Sequence, residues 1–200
     1  MYDHNIICLE GEWKYTDSQP RDNRFDLDTK ALLTWLKQFY NCDVIHRHVV
    51  NHEALEYYME HFSKKEYRRA KSNYDIVYIS CHGWNGSIQL EGENGNIDLD
   101  ELAYISERCG CFFKDRIVHF SSCKTMVDKA RMQEFKTRTE ARLVCGYSKS
   151  VSATKSSIAD IALFNELMSL TKVGVIANKN HSRFWTSYGS ILRELGFKAY

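Results

Sequence analysis

Two side chains in this sequence have the type and the setting for covalent chemistry, His82 and Cys123. His82 closes the stretch 74–83, YDIVYISCHG, and is followed by Gly83. Cys123 comes near the end of 117–125, IVHFSSCKT, behind Ser121 and Ser122. Each stretch is an apolar run of strand length that stops at a reactive group. A thiolate is a nucleophile, and an imidazolium beside it lowers the thiol pKa from its ordinary value near about 8.5. The same imidazole can protonate a leaving amine. The tetrahedral oxyanion needs donors, and the backbone N–H groups of Gly83 and Cys123 are candidates. Gly83 also lets a substrate backbone come close, because it has no side chain. Cys81 adjoins His82, but alternation along a strand points it to the opposite face. A strand-end His before Gly is by itself an ordinary turn residue, and an apolar-flanked Cys ordinarily packs in a core. The pair at two strand ends carries the reading.

Those tips need a scaffold. Residues 5–9 (NIICL), 42–50 (CDVIHRHVV), 74–80, 117–120 and 141–146 (ARLVCG) read as strands, and 173–177 as a weak sixth. Helical spacing places helices over 29–40, over 51–62 behind Asn51, over 101–108 behind Asp98 or Asp100, over 126–137, over 158–170 and over 181–195 up to Gly196. Residues 87–90 form a short strand after a WNG turn, with 92–96 (GENGN) as another turn. Strands alternating with helices indicate an α/β layer fold with a mostly parallel sheet. Runs such as IVYIS suit strands covered on both faces. Ligands in such sheets bind beyond the carboxyl ends of the strands. His82 and Cys123 share that edge if their strands are neighbours.

The 200 residues are 44% hydrophobic, enough for a single domain over 1–200 that needs no disulfide or metal staple. Lys plus Arg is 27 and Asp plus Glu is 26, a net charge of +1. That balance gives no field for gathering nucleic acid or an anionic membrane. Mean hydropathy is −0.47, and no apolar run approaches the roughly 18 residues of a span. The first residues, MYDHNIICLEGEW, have no basic region followed by a long apolar one, so no signal peptide is expected. Seven cysteines, several in apolar runs, suggest thiols in a reducing compartment and a cytoplasmic protein.

Other constellations are weaker. His46, His48 and His52 lie in HRHVVNH, and His46 with His48 would share one strand face. A metal needs further ligands than these, so no metal and no cofactor is expected. Cys109-Gly110-Cys111 lacks the C-x-x-C spacing, and GYSKS at 146–150 lacks the closing glycine of a nucleophile elbow. Neither a P-loop nor G-x-G-x-x-G is present, which argues against nucleotide use. The polar loop 11–26 starts at a strand's carboxyl end, so Lys14, Asp17, Arg21, Asp22 and Arg24 would border the cleft.

The strand ending in His-Gly, the strand ending in small residues then Cys, and the strand–helix order together resemble the caspase-like (clan CD) cysteine peptidases. That group contains caspases, metacaspases, separases and bacterial CHAT-type proteases, and the resemblance is nearest to the small bacterial members. It implies a three-layer α/β fold, a central mostly parallel sheet of about six strands flanked by helices. It implies a cysteine endopeptidase with His82 as general base and acid, Cys123 as nucleophile, and the Gly83 and Cys123 amides as oxyanion hole. No third catalytic group is required in that family. By the same resemblance Ser121 sits where the specificity pocket has its floor. Trp84, Ser148 in the loop GYSKSVSATKSS, and Asp160 are candidates for lining the substrate cleft. For Asp160 the first reading is that it suits the dipole at a helix amino end, ahead of any place in the cleft. The chain departs from the family at the nucleophile: caspases have Q-A-C-[RQG]-G and metacaspases an Asp two residues before the Cys, where this chain has Ser121. The expected partner is a protein or peptide substrate. Two alternatives stay open: a weakly active or inactive caspase-like interaction module, and a peptidase that works only with a regulatory partner.

Overall fold

The computed structural model describes residues 4–11, 29–69, 73–90 and 96–200. The loop residues Lys14, Asp17, Arg21, Asp22 and Arg24, and most of the GENGN turn, lie outside them. Four parallel βα steps build the sheet. Strand β1 (Ile6–Glu10) leads to helix α1 (Thr29–Leu36), then β2 (Val44–His48), α2 (His52–Phe62) and β3 (Ile76–Ser80). Three short strands follow, β4 (His82–Gly83), β5 (Ser87–Gln89) and β6 (Ile97–Asp98), and then α3 (Leu99–Arg108). The chain returns through β7 (Ile117–Ser121), α4 (Lys129–Thr139), β8 (Leu143–Tyr147), α5 (Ala153–Leu167), α6 (Arg183–Leu195) and β9 (Phe197–Ala199).

The main sheet has six strands in the order β2-β1-β3-β7-β8-β9. All its neighbours are parallel except β9, which runs antiparallel to β8. Strands β1, β3, β7 and β8 are buried along their whole length, as near-continuous apolar runs require. One core lies against α2, α3 and α4, through residues such as Met59, Phe62, Leu102 and Phe135. The other lies against α1, α5 and α6, through Leu33, Leu36, Leu163, Phe164 and Phe184. The architecture is therefore three layers of helix, sheet and helix.

The helix starts follow local chemistry. The Asn51 side chain accepts from the Ala54 N–H, that of Asp98 from Glu101, and that of Asp128 from Ala130 and Arg131. Each satisfies amides that have no intrahelical acceptor. Gly196 ends α6 at φ +66°, where only glycine is unstrained.

Three expectations need correction, the first being that the helix expected over 158–170 runs over Ala153–Leu167, because Ser152 caps it and accepts from the Lys155 N–H. Residues Val173–Ala177 form a 3-10 helix, and the sixth strand is Phe197–Ala199. The run VGVIA is apolar because Val173 and Ile176 pack into the second core, which a short apolar run does as readily from a helical turn. The first helix ends at Leu36, not Tyr40; Phe39 beyond it is 61% exposed. Among the described residues no helix is long and apolar enough to cross a membrane.

Candidate active site

Strands β3 and β7 are neighbours, paired from Ile76↔Ile117 to Ser80↔Ser121. His82 and Cys123 each follow two residues beyond that last pair, at the carboxyl edge of the sheet. Beyond Ser80 the chain turns into β4, where His82 pairs with Gln89 and Gly83 with Ile88. His82 is half-buried and Gly83 buried.

The two tips touch at Gly83. A Cβ added there would lie 2.6 Å from the carbonyl oxygen of Cys123, 2.7 Å from Thr125 Oγ1 and 2.9 Å from Ser122 Cβ. No side chain fits. Further bonds stitch the same seam: Gly86 N–H donates to the Lys124 carbonyl at 2.9 Å, and Thr125 Oγ1 donates to the Ser87 carbonyl at 3.2 Å. Lys124 takes a left-handed backbone, φ +54°, directly after Cys123, a conformation that is uncommon for non-glycine residues and is held by the surroundings. We expect Gly83→Ala to cost about 1–3 kcal/mol by overpacking. Urea denaturation would measure it, and an unchanged midpoint would show that the seam tolerates separation.

Among the seven thiols, position separates Cys123 from the rest. It is half-buried, and its Sγ accepts the Val151 N–H at 3.3 Å, just before the amino end of α5. Cys81 is fully buried, and burial pushes its thiol up to about 12. Burial also raises Cys42 and Cys109, and Cys8 and Cys145 lie in the core. Cys111 is exposed, in a turn with φ +57°. None of the seven is disulfide-bonded among the described residues, which include them all.

The other expected site residues divide. Trp84 is 57% exposed, and the Lys124 ammonium sits 4.1 Å from the centre of its ring, a cation–π contact. Trp84 follows Gly83 and Lys124 follows Cys123, so this pair flanks the seam. Ser148 faces the other way: its Oγ donates to the Gly196 carbonyl at 2.7 Å, tying the loop after β8 to the end of α6. Ser121 and Asp160 are both buried, and Ser121 Oγ donates to Asp160 at 2.6 Å. The Asp160 carboxylate also accepts from Tyr78 (2.8 Å), Tyr147 (2.5 Å) and His119 Nε2 (2.5 Å). With four donors it has no lone pair left for a ligand, so it organises the layer beneath the loop that carries Cys123. Burial disfavours the His119 imidazolium more than any one partner favours it, but the charge and hydrogen bond of Asp160, together with Cys145, outweigh it and raise His119 to about 10. Burial likewise works against the Asp160 carboxylate, and His119 holds it below its ordinary value.

An apolar groove lined by Leu32, Ala153, Thr154, Ser157, Ile158 and Ile161 runs between α1 and the first turns of α5, starting two residues beyond Val151. Among the described residues neither His82 nor Cys123 belongs to a group of three metal-ligating side chains. Among the described residues such a group is formed by Cys8, Glu10 and His46, on β1 and β2.

Comparison with known proteins adds the family. A family profile matches residues 3–200. The chain belongs to the family of unknown function DUF6642. Functionally curated proteins give no match to this DUF6642 chain. Solved structures do. One of them is a secreted C11 cysteine protease from Bacteroides thetaiotaomicron, solved with an irreversible peptide inhibitor. The alignment has a TM-score of 0.58 at 9% identity and covers 94% of this chain. The chain spans 59% of that protease's length. At this identity the likeness is one of fold, and the fold is caspase-like.

The His119–Asp160 pair was missed from sequence. Its signal is a His in the middle of the apolar run IVHFS and an Asp inside the apolar helix segment IADIALF. A buried ionisable residue in each of two packed elements requires a partner.

Proposed function

We propose that this chain is a cysteine peptidase in which Cys123 attacks the substrate carbonyl and His82 moves the proton. One observation supports it: β3 and β7 are adjacent and in register up to Ser80↔Ser121, and the turn that holds His82 packs its Gly83 against the Cys123 carbonyl. Attack forms a bond from sulfur to the carbonyl carbon, and the electron pair moves to the oxygen. Amides at Gly83 and Cys123 are the donors that would receive that charge. His82, having taken the thiol proton, gives it to the leaving amine. Water then hydrolyses the thioester with His82 as base. The substrate is a protein or peptide; the groove beside Val151 offers it an apolar subsite, and Trp84 a wall. The caspase-like fold of the C11 protease supports the same reading. Seven unpaired-by-disulfide thiols support work in a reducing compartment.

The test is selective alkylation. A peptidyl acyloxymethyl ketone, mapped by mass spectrometry, is expected to mark Cys123 and to lose most of that rate in His82→Ala. Simple iodoacetamide should reach both Cys111 and Cys123, which calibrates plain exposure. If the peptidyl reagent labels Cys111 and Cys123 alike, whatever stands at position 82, the caspase-like domain serves as an interaction module instead.

A further inference from the structure

The histidines of HRHVVNH find their missing ligands on the neighbouring strand. β1 and β2 pair in parallel with Cys8↔His46 and Glu10↔His48. Paired positions in a parallel ladder point to one face, and so do residues two apart on a strand. Cys8, Glu10, His46 and His48 therefore share the face covered by α1. The ligating atoms of Cys8, Glu10 and His46 all lie within 4.8 Å of one another. The His48 ring centre is 4.9 Å from that of His46. We propose that these four side chains form a zinc site at the carboxyl end of β1 and the edge strand β2.

The donor set selects the ion. Thiolate and imidazole suit zinc, whereas calcium and magnesium take oxygen ligands. A Cys8 thiolate and a Glu10 carboxylate balance a divalent charge, which matters because Cys8 and Glu10 are fully buried. The surroundings are also those of a ligand set. The Thr29 N–H, at the start of α1, donates to both Glu10 oxygens at 3.1 and 3.2 Å. Thr29 Oγ1 lies 3.4 Å from Cys8 Sγ. Such outer contacts orient metal ligands. His46 Nε2 and Glu10 Oε2 are now 2.6 Å apart, sharing a hydrogen bond. Zinc would replace the proton in that bond, and the Cys8 thiol would release its own proton to solvent. Three ligands are already gathered, and His48, on the same face, would close the coordination by turning its ring toward them, as in structural zinc sites. The ion would tie β1, β2 and α1 together beside the active-site edge. None of this depends on the chain's being a peptidase.

The experiment uses the full chain in a Cys111→Ser background, stripped with chelator. Zn2+ is titrated by calorimetry and Co2+ by absorption. One ion per chain is expected, with a thiolate-to-cobalt charge-transfer band that disappears in Cys8→Ser and persists in Cys123→Ala. Affinity should fall more than about a hundredfold in His46→Ala, beyond the 10–100-fold loss typical of a group that only supports a ligand. His48 is exposed, so His48→Ala should fold normally and bind zinc more than about a hundredfold more weakly, again beyond the loss of a merely supporting group. Zinc should raise the Tm of the parent protein and not that of the His46→Ala variant. Less than one ion per chain, or a charge-transfer band that stays in Cys8→Ser and goes in Cys123→Ala, overturns the site.

Discussion

Cys123→Ala is expected to lower peptide hydrolysis by about four to six orders of magnitude, the usual cost of removing a nucleophile from a site that acts as a unit. His82→Ala should cost a comparable amount. The double variant should be no worse than either single one, because a base without its nucleophile has nothing left to activate. kcat/KM on a pooled set of fluorogenic peptides would measure all three. Both substitutions are made at half-buried positions, so circular dichroism should stay unchanged and separate lost chemistry from lost fold. Cleavage that survives Cys123→Ala sinks the dyad. Cleavage that falls additively in the double variant would mean that the two residues act apart, although their strands are neighbours.

Much of this arrangement was legible in the chain. Five apolar runs separated by helical periods are enough to imply a layered α/β fold, and the carboxyl-end rule then places His82 and Cys123 on one edge. Sequence could not say that the strands ending in those residues are neighbours; the order β2-β1-β3-β7-β8-β9 arises from which helices cover which face. It read VGVIA as a strand because burial, not β structure, makes that run apolar. It missed FKA at 197–199 because three residues are too few for a period. Asp160 shows the same limit. Its place in an apolar helix marks it as unusual, but only the fold reveals that Tyr78, His119, Ser121 and Tyr147 converge on it from three strands. The histidines at 46 and 48 are the converse: the motif was visible, and its partners Cys8 and Glu10 come from a strand some forty residues away in sequence.

Asp160→Asn should destabilise the fold by about 3–5 kcal/mol, the cost of breaking a buried ion pair from one side. The amide would turn an NH2 toward a ring of hydroxyl and imidazole donors, with one oxygen left to accept. The imidazolium would lose the charge that sustains it, and His119 would have to be neutral. That fixes the pH dependence. His119 is raised from 6.5 to about 10, so its contribution is complete below 6.5 and fades as pH climbs toward 10. Asp160 is lowered from 3.8, so its contribution is present above 3.8 and fades as pH falls below it. The stability difference between parent and variant should therefore be greatest between 3.8 and 6.5 and shrink on either side. Urea denaturation across that range would trace it, and taking the difference cancels other buried groups such as His4 with Asp75. A difference that is flat from pH 5 to pH 9 would mean that His119 is neutral in the fold. Asp160 would then be an acceptor of neutral hydrogen bonds, and the variant's loss would come from hydrogen-bond geometry alone. Because Ser121 hangs from the same carboxylate two residues before Cys123, the variant should also loosen the nucleophile loop. Peptidyl alkylation of Cys123 would then slow more than the fraction unfolded accounts for.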